Sequence, residues 1–334
     1  MATYLKKITT GAACVAALAA GTTAMAESKL KVSEDLKNSF VEATNGKTIA
    51  WVPQALGVPL SDGWTAVMQS EADALGMTLV VRDGNWSTAA QSQAVTALIS
   101  EKPDVLVVHN PNVQLLARQL KQAEQAGIHV IQLNMLSNYP TDAYVGGDWK
   151  GLGAAIAEDI VATCGEGSGK SGKVSIIQGE LTSDVSILET EGAMEVFAQH
   201  PEIQVVSDQA AQWDPNKARE ITASVLQQNP DLCAVFGHWG PMTMGAGQAV
   251  KAAGLEGDVT VYSTGENPQM ICDAIGDGVL NKYWSVDNKL QARDVMVTAK
   301  YLLMMDEKPG EVRLAAYSPF EVLTADNIEQ KCWK

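Results

Sequence analysis

Short apolar runs alternate with longer amphipathic stretches along most of the chain, and this alternation limits the folds open to it. The apolar runs are Thr48–Val52, Met77–Val81, Val105–Val108, Val130–Leu133, Val174–Ile177, Gln204–Val206, Cys233–Phe236, Thr260–Tyr262 and Lys282–Trp284. The amphipathic stretches include Ala89–Ser100, Val113–Ala126, Gly151–Thr163, Ile187–Gln199, Lys217–Gln227 and Thr243–Ala253. Strands separated by helices of this length are typical of β-α-β crossovers. We therefore expect an α/β fold with parallel sheets.

The first unit, from Gly46 to Trp64, contains a predicted strand, a loop and the start of a helix. The strand Thr48–Val52 stops at Pro53, and Ser61 or Asp62 is the expected N-cap of the helix. Open α/β sheets bind ligands outside the carboxyl ends of their strands. We therefore expect the other units to close a cleft over the loop of this unit.

Two segments, which begin at Asn85 and Gln212, follow one plan. Each contains a tryptophan, a polar cap, a helix, a Pro-Asp pair, a strand and a polar loop. The distance is 17 positions both from Trp86 to Pro103 and from Trp213 to Pro230. General similarity among α/β units is the alternative, but the matched spacing favours a structural duplication with two similar lobes.

Polar and aromatic side chains follow the predicted strands and would meet between two such lobes. They are Gln54, His109, Asn110 and Asn134 from the first half and Trp213, His238, Trp239 and Glu266 from the second. Amides both donate and accept hydrogen bonds, and an indole face covers the C–H side of a sugar ring. These residue types favour a neutral polyhydroxyl ligand.

The first 26 residues have the features of a secretory signal peptide. Lys6 and Lys7 precede an apolar segment, Ile8–Ala20, that is too short for a membrane span, and Ala24–Ala26 offers a cleavage site. An Ala-rich surface helix is the alternative interpretation. The pattern predicts an exported protein.

Charge and cysteine content narrow the possible partners and cofactors. A net charge of −15 argues against nucleic acid and anionic lipid as partners. Cys164, Cys233, Cys272 and Cys332 allow one or two disulfides whose pairing stays open, and a buried free thiol is the alternative for Cys233. The sequence has no Cys-x-x-Cys, no His-x-x-x-His and no Gly-x-Ser-x-Gly motif. We therefore expect no metal, no cofactor and no catalytic residue.

Taken together, several segments resemble the periplasmic sugar-binding proteins of ABC importers, of the ribose- and galactose-binding type. The segments are IAWVPQALGVP, ADALGMTLVV, KPDVLVVHNP, AGIHVIQLN, NPDLCAVFGHWGPMTMGA, VTVYSTGENP and IGDGVLNKYWSVD. Each is a loose pattern, but their order is specific, and the resemblance extends over about residues 47–326. Repressors share this fold, but this chain has an export signal where they carry a DNA-binding head.

The resemblance implies two doubly wound parallel-sheet lobes joined by three hinge crossings, with a ligand cleft between them. The crossings are expected near Asp148, Val286 and Ser318. Residues 27–148 plus 287–317 would form the N-terminal lobe, and residues 149–286 plus 318–334 the C-terminal lobe.

The implied function is that of a monomeric receptor in the periplasm, without catalytic activity. It would close around a small neutral sugar or polyol and deliver it to ABC permease subunits, with a chemoreceptor as a further partner. Two alternatives stay open. One is a receptor for a partly apolar non-sugar molecule, and the other is an exported enzyme with Glu266 and His238 as acid and base.

Five residues match ligand-binding positions of the family. Asn134 matches the polar residue after the fourth strand, and Trp213 matches the ring-stacking aromatic residue. Glu266 stands where an aspartate usually binds sugar hydroxyls. Asp287 lies at or beside an Asn or Gln position after the second crossing, and Gln54 falls in the first loop. His238 and His109 follow equivalent strands, and hydrogen bonding is the favoured role for both.

Other positions depart from the family pattern. Trp239 replaces a polar residue, Met135 stands where ribose binders have arginine, and Leu60 and Ser61 replace an aromatic pair. These departures favour a smaller, deoxygenated or cyclic polyol, or a partly apolar ligand. The position of Trp86 usually supports the lobe in this family, so we interpret Trp86 as structural.

Overall fold

The computed structural model describes residues 31–266 and 268–332, which form two lobes, each built on a six-stranded sheet. The predicted signal peptide, residues 1–26, lies outside the described residues. No helix in the described part of the chain is both long and apolar enough to cross a bilayer.

The helices and strands alternate through both lobes. The first series is α1 (Lys31–Thr44), β1 (Thr48–Val52), α2 (Pro59–Leu75), β2 (Thr78–Val81), α3 (Thr88–Glu101), β3 (Val105–Val108), α4 (Ala117–Gln125), β4 (His129–Leu133) and β5 (Ala143–Gly146). The second series is α5 (Trp149–Cys164), β6 (Lys173–Gln178), α6 (Asp184–Phe197), β7 (Gln204–Ala210), α7 (Pro215–Gln228), β8 (Ala234–Gly237), α8 (Gly240–Ala252), β9 (Thr260–Glu266), α9 (Gln269–Gly276) and β10 (Lys282–Val286). The chain then forms α10 (Asn288–Met304), β11 (Leu314–Tyr317), β12 (Phe320–Thr324) and α11 (Ile328–Lys331).

Both sheets have the same strand order. It is β11-β5-β4-β3-β1-β2 in the first and β12-β10-β9-β8-β6-β7 in the second. All neighbouring strands are parallel except β12, which runs antiparallel to β10. In each sheet the order reverses at one strand pair, β1/β3 in the first and β6/β8 in the second. Ligands bind beside such switch points in open α/β sheets.

The chain changes sheets between β5 and β6, between β10 and β11, and between β11 and β12. The prediction of two doubly wound lobes with three crossings is therefore confirmed. Helix α10 packs on the first lobe, where Val295 and Met296 join the core that contains Trp64 and Met68. The exact lobe boundaries at residues 148, 286 and 317 stay predictions.

Each central strand is covered on both faces, which explains why the strands are apolar at most positions. In β1, Ile49 and Trp51 face the core formed with α2 and α10, while Ala50 and Val52 face the core formed with α3 and α4. All four side chains are fully buried.

Several elements differ from the sequence predictions. Strands β5, β11 and β12 and helix α1 were not predicted, and β7 and β9 are longer than expected. Neither Ser61 nor Asp62 caps α2, which begins at Pro59 because proline fits the first helical turn. Asp62 instead accepts a hydrogen bond from the Gly57 amide at 2.9 Å.

Two disulfides resolve the open cysteine pairing. Cys164 bonds to Cys233, with the Cα atoms 5.9 Å apart, and Cys272 bonds to Cys332, with the Cα atoms 6.0 Å apart. The alternative of a buried free thiol at Cys233 is therefore wrong. The first disulfide ties the end of α5 to the start of β8, and the second ties α9 to the end of α11.

Candidate ligand-binding site

A cavity lies between the lobes, at the carboxyl ends of strands from both sheets. The space open to the centres of water molecules is about 50 Å³, which is room for a few waters or one small ligand. Four indoles line it, from Trp86, Trp149, Trp213 and Trp239, together with aliphatic side chains such as Leu60. The walls are therefore mostly apolar, with a few polar groups between the rings.

Seven of the nine side chains predicted for the cleft line this cavity. They are Gln54, His109, Asn134, Trp213, His238, Trp239 and Glu266. Asn110 and Asp287 do not line it. Asn110 is fully buried, and its amide nitrogen donates to Gln132 Oε1 and to the Met135 carbonyl, both at 2.8 Å.

Asp287 lies outside the cavity lining and caps a helix. Its carboxylate accepts hydrogen bonds from the amides of Lys289 and Leu290, at 2.9 and 3.0 Å, and so caps α10. The capping oxygen, Oδ1, therefore satisfies backbone donors at the start of the helix. The side chain lies on a separate groove beside the crossings.

The first lobe supplies Gln54 and Asn134. The Gln54 amide nitrogen donates to the Asn110 carbonyl at 2.9 Å, which fixes the side chain beside the cavity. Asn134 has φ 65°, in the left-handed region that asparagine tolerates. Its carbonyl accepts from Trp149 Nε1 at 2.8 Å and from the Tyr144 hydroxyl at 3.1 Å, so α5 and β5 both hold the turn after β4.

The second lobe supplies a buried carboxylate beside an indole. Trp239 Nε1 donates to Glu266 Oε2 at 3.0 Å, and the Tyr283 hydroxyl donates to the Glu266 carbonyl at 2.5 Å. The other carboxylate oxygen, Oε1, is buried and has no hydrogen-bond partner among the described residues. Burial raises the pKa of Glu266 to about 6. An acceptor at the cavity wall is thus left for a ligand hydroxyl.

Two buried histidines add uncharged donors and acceptors. Burial lowers the pKa of both His109 and His238 to about 3, so both imidazoles are neutral at pH 7. His238 Nε2 lies 4.0 Å from Glu189 Oε2. Burial also raises the pKa of Glu189 well above its usual range, because the side chain is fully enclosed. The pair therefore adds little formal charge behind the cavity.

Trp213 packs against the backbone of the second lobe. The Gly179 backbone approaches the ring so closely that a Cβ built at Gly179 would lie 2.1 Å from Trp213 Cη2. The ring also meets Trp239 edge to face, with the ring centroids 6.3 Å apart. These contacts hold one wall of the cavity in place.

The position of Trp86 differs from the structural role predicted for this residue. The residue is 54% exposed and lines the cavity from the first lobe. The signal was present in the sequence, because Trp86 is the repeat partner of Trp213. Reasoning from the sequence also missed Trp149 and Thr264 as lining residues. Trp149 lies at the start of a helix, where an apolar residue gives no hint of a site.

Hydrogen bonds join the lobes at the rim of the cleft. The Leu136 amide donates to Asp184 Oδ2 at 2.7 Å, and the Val113 amide donates to the Thr182 carbonyl at 2.9 Å. The cleft rims are therefore in contact. In residues 31–266 and 268–332, no group of three or more side chains is placed to hold a metal ion.

Comparisons with known proteins fit this geometry. The profile of the family described as "Periplasmic binding protein domain" matches residues 49–308. The chain belongs to this family. It is 28% identical to the ribose import binding protein of Escherichia coli K12 over 73% of this chain and 79% of the relative. It is 25% identical to the D-apiose import binding protein of Actinobacillus succinogenes over 69% of this chain and 73% of the relative.

Solved structures share the fold. A galactofuranose binding protein superposes with a TM-score of 0.74 at 23% identity, covering 85% of this chain and 96% of that one. An Agrobacterium vitis solute binding protein of an ABC transporter, bound to α-D-tagatopyranose, superposes with a TM-score of 0.76 at 21% identity, covering 86% and 97%. The relatives are transport binding proteins and not enzymes, which confirms the prediction of a non-catalytic receptor. The alternative of an exported enzyme is set aside.

Proposed function

We propose that the protein captures one small neutral sugar or polyol between its lobes and delivers it to the permease of an ABC importer. The observation that carries this proposal is the cavity itself. It lies beside the switch points of both sheets and joins indole faces to uncharged polar groups. The names of the relatives support the sugar class, since two of them are import binding proteins for ribose and for D-apiose.

The lining favours a ligand without charge. Among the described residues that line the cavity there is no lysine or arginine, and Glu266 is its one acidic side chain. Ligand hydroxyls would donate to Glu266 Oε1 and exchange hydrogen bonds with Asn134 and Gln54. The apolar C–H surface of the ligand would lie against Trp213. Because apolar side chains dominate the walls, we expect fewer hydroxyls than on a hexose.

Delivery would depend on hinge closure about the three crossings. Opening would break the rim hydrogen bonds from the amides of Leu136 and Val113, so the open and closed forms would differ at the rim. The permease would recognise the closed form by this difference. In this proposal the protein is a periplasmic monomer exported through a cleaved signal peptide, residues 1–26. Its lobes are residues 27–148 plus 287–317 and residues 149–286 plus 318–334. A chemoreceptor would be a further partner of the closed form.

A thermal-shift screen of the purified mature protein tests the proposal. The panel consists of aldopentoses, aldohexoses, their 6-deoxy forms, alditols and cyclitols, with amino acids as the unrelated class. We expect at least one carbohydrate to raise the unfolding midpoint, and calorimetry then gives its affinity. Trp213→Ala should weaken that affinity about tenfold or more. The matched control is Tyr301→Ala, which removes an exposed ring outside the cavity lining.

Two results would count against the proposal. One is a panel in which no carbohydrate stabilises the protein. The other is a carbohydrate whose affinity is equal in the wild type and in Trp213→Ala. Native mass spectrometry of the freshly purified protein gives an independent reading, because a co-purified ligand would be identified by its mass.

A further inference from the structure

The loops that carry Trp86 and Trp213 have the same unusual backbone. Asn85 and Trp86 have φ angles of 47° and 56°, and Gln212 and Trp213 have φ angles of 56° and 64°. Each loop thus has two consecutive non-glycine residues in the left-handed region. Such residues cost free energy and cluster at ligand clamps and switch regions. The repeated strain points to a function shared by the two loops.

The hydrogen bonds of the two loops are also equivalent. The Ser87 amide donates to the Gly84 carbonyl at 2.8 Å, and the Asp214 amide donates to the Ala211 carbonyl at 3.0 Å. Ser87 then caps α3, and Asp214 caps α7. The duplicated architecture therefore holds both tryptophans on equivalent rigid turns, one from each lobe.

The side chains differ in how they are supported. The ring of Trp213 is half-buried and lies between the Gly179 backbone and the edge of Trp239. The ring of Trp86 is 54% exposed, although its own amide is fixed to the Gln54 carbonyl at 2.8 Å. A fixed backbone with an exposed ring allows the indole to change rotamer without disturbing the lobe.

The two rings also stand between two spaces. An outer pocket adjoins the cavity and is bordered by both lobes, with Asn112 from the first and Glu180 from the second. Gln54, Trp86 and Trp213 line both the cavity and the outer pocket. These three side chains therefore lie where the cavity and the outer pocket meet.

We propose that Trp86 is the gate of the cleft, and that it closes over the ligand opposite Trp213 to form an aromatic clamp across the lobes. This inference rests on the proposed function for the identity of the ligand. It also narrows the ligand class. Two opposed indole faces contact both sides of a closed ring better than they contact an open chain, so cyclic sugars should bind more tightly than the alditols derived from them.

Dissociation kinetics test the gate. The probe is the panel carbohydrate with the largest thermal shift, and its dissociation rate is measured by stopped-flow fluorescence. Trp86→Ala should dissociate about tenfold faster or more, whereas Trp86→Phe should keep most of the closure. The ligand-free unfolding midpoint should not change in either variant, because the ring is exposed. Tyr301→Ala, which removes a similarly exposed ring outside the cavity, should leave both the dissociation rate and the unfolding midpoint unchanged.

The proposed gate role is overturned if Trp86→Ala keeps the wild-type dissociation rate. It is also overturned if Trp86→Ala lowers the ligand-free unfolding midpoint, because Trp86 would then be a structural residue. A second measurement needs no ligand. In protein labelled with 5-fluorotryptophan, the Trp86 resonance is assigned by its loss in Trp86→Phe. Without ligand it should show the solvent isotope shift of an exposed ring, and a shielded resonance would also overturn the gate.

The two proposals can fail separately. In one outcome, the wild type binds no panel carbohydrate, and its Trp86 resonance is exposed without ligand but shielded by a co-purified non-sugar molecule. This outcome would refute the sugar assignment and support the gate. A wild type that binds a cyclic sugar with the same dissociation rate as Trp86→Ala would support the sugar assignment and refute the gate.

Discussion

Gly179→Ala should weaken ligand binding through a single added methyl group. A Cβ at this position would lie 2.1 Å from Trp213 Cη2, and ordinary contact begins at 3.4 Å, so the shortfall is 1.3 Å (3.4 minus 2.1). The backbone φ at Gly179 is not in the left-handed region, so alanine fits the main chain there. The indole must therefore move away from the backbone that supports it.

The magnitude follows from the contact that the ring would lose. An indole side chain buries about 150–250 Å². If about a third of that surface faces the ligand, its loss costs about 1.7 kcal/mol at roughly 25 cal/mol per Å². This free energy corresponds to about a 15- to 20-fold increase in Kd. Relieving the clash adds a destabilisation of about 1–3 kcal/mol to the ligand-free protein, which is typical of overpacking.

The assay is calorimetric titration of the panel carbohydrate into the wild type, Gly179→Ala and Gly257→Ala. Gly257 is the matched control, because a Cβ there would meet no atom within 4 Å and the backbone is outside the left-handed region. We expect Gly257→Ala to bind as the wild type does. Wild-type affinity in Gly179→Ala, together with a loss of affinity in Trp213→Ala, would refute the argument that the glycine places the ring.

Three further predictions follow from buried groups. Burial raises the pKa of Asp184 to about 7, so the wild type should lose stability as pH rises from about 4 to 7. Asp184→Asn keeps an acceptor for the Leu136 amide but cannot ionise. Between about pH 4 and pH 7 the wild type should therefore lose about 1–3 kcal/mol more unfolding free energy than this variant, as measured by denaturant unfolding. Parallel pH profiles of the two proteins would contradict this prediction. Replacing Cys164 and Cys233 together by alanine should cost about 2–4 kcal/mol of unfolding free energy, and peptide mapping that shows another pairing would contradict the structure. Glu266 has its pKa raised to about 6 by burial, so ligand affinity in the wild type should fall about tenfold from pH 7.5 to 5 as the carboxylate loses its charge. Glu266→Gln should show little change over the same range, and an equal fall in both proteins would exclude this carboxylate as the cause.

The sequence predicted most of the fold because the buried strands are short and mostly apolar. Runs such as Val105–Val108 and Val130–Leu133 fall within observed strands, since a strand covered on both faces is apolar at most positions. Two of the four end strands, β11 and β12, were missed for the opposite reason. Ala315 and Tyr317 of β11 are exposed and alternate with half-buried neighbours, so this edge strand lacks the apolar signal.

The candidate site could be predicted only in part. Strand ends pointed to Gln54, Asn134 and Glu266, because parallel strands bring their carboxyl ends to one edge of each sheet. The side chain of Asn110 occupies the same kind of position but turns toward Gln132 instead. A strand end fixes where a Cα lies, and local hydrogen bonds then decide where the side chain points.

The sequence by itself determined the α/β class, the duplication and the polar and aromatic composition of the cleft. All three depend on local patterns, namely apolar runs, helix spacing and residue type at strand ends. The tertiary structure alone decided that Trp86 lines the same cavity as Trp213, that Asp287 caps a helix, and which cysteines pair. Those outcomes depend on contacts between residues far apart in the chain, and such contacts exist only after the two lobes have folded and met.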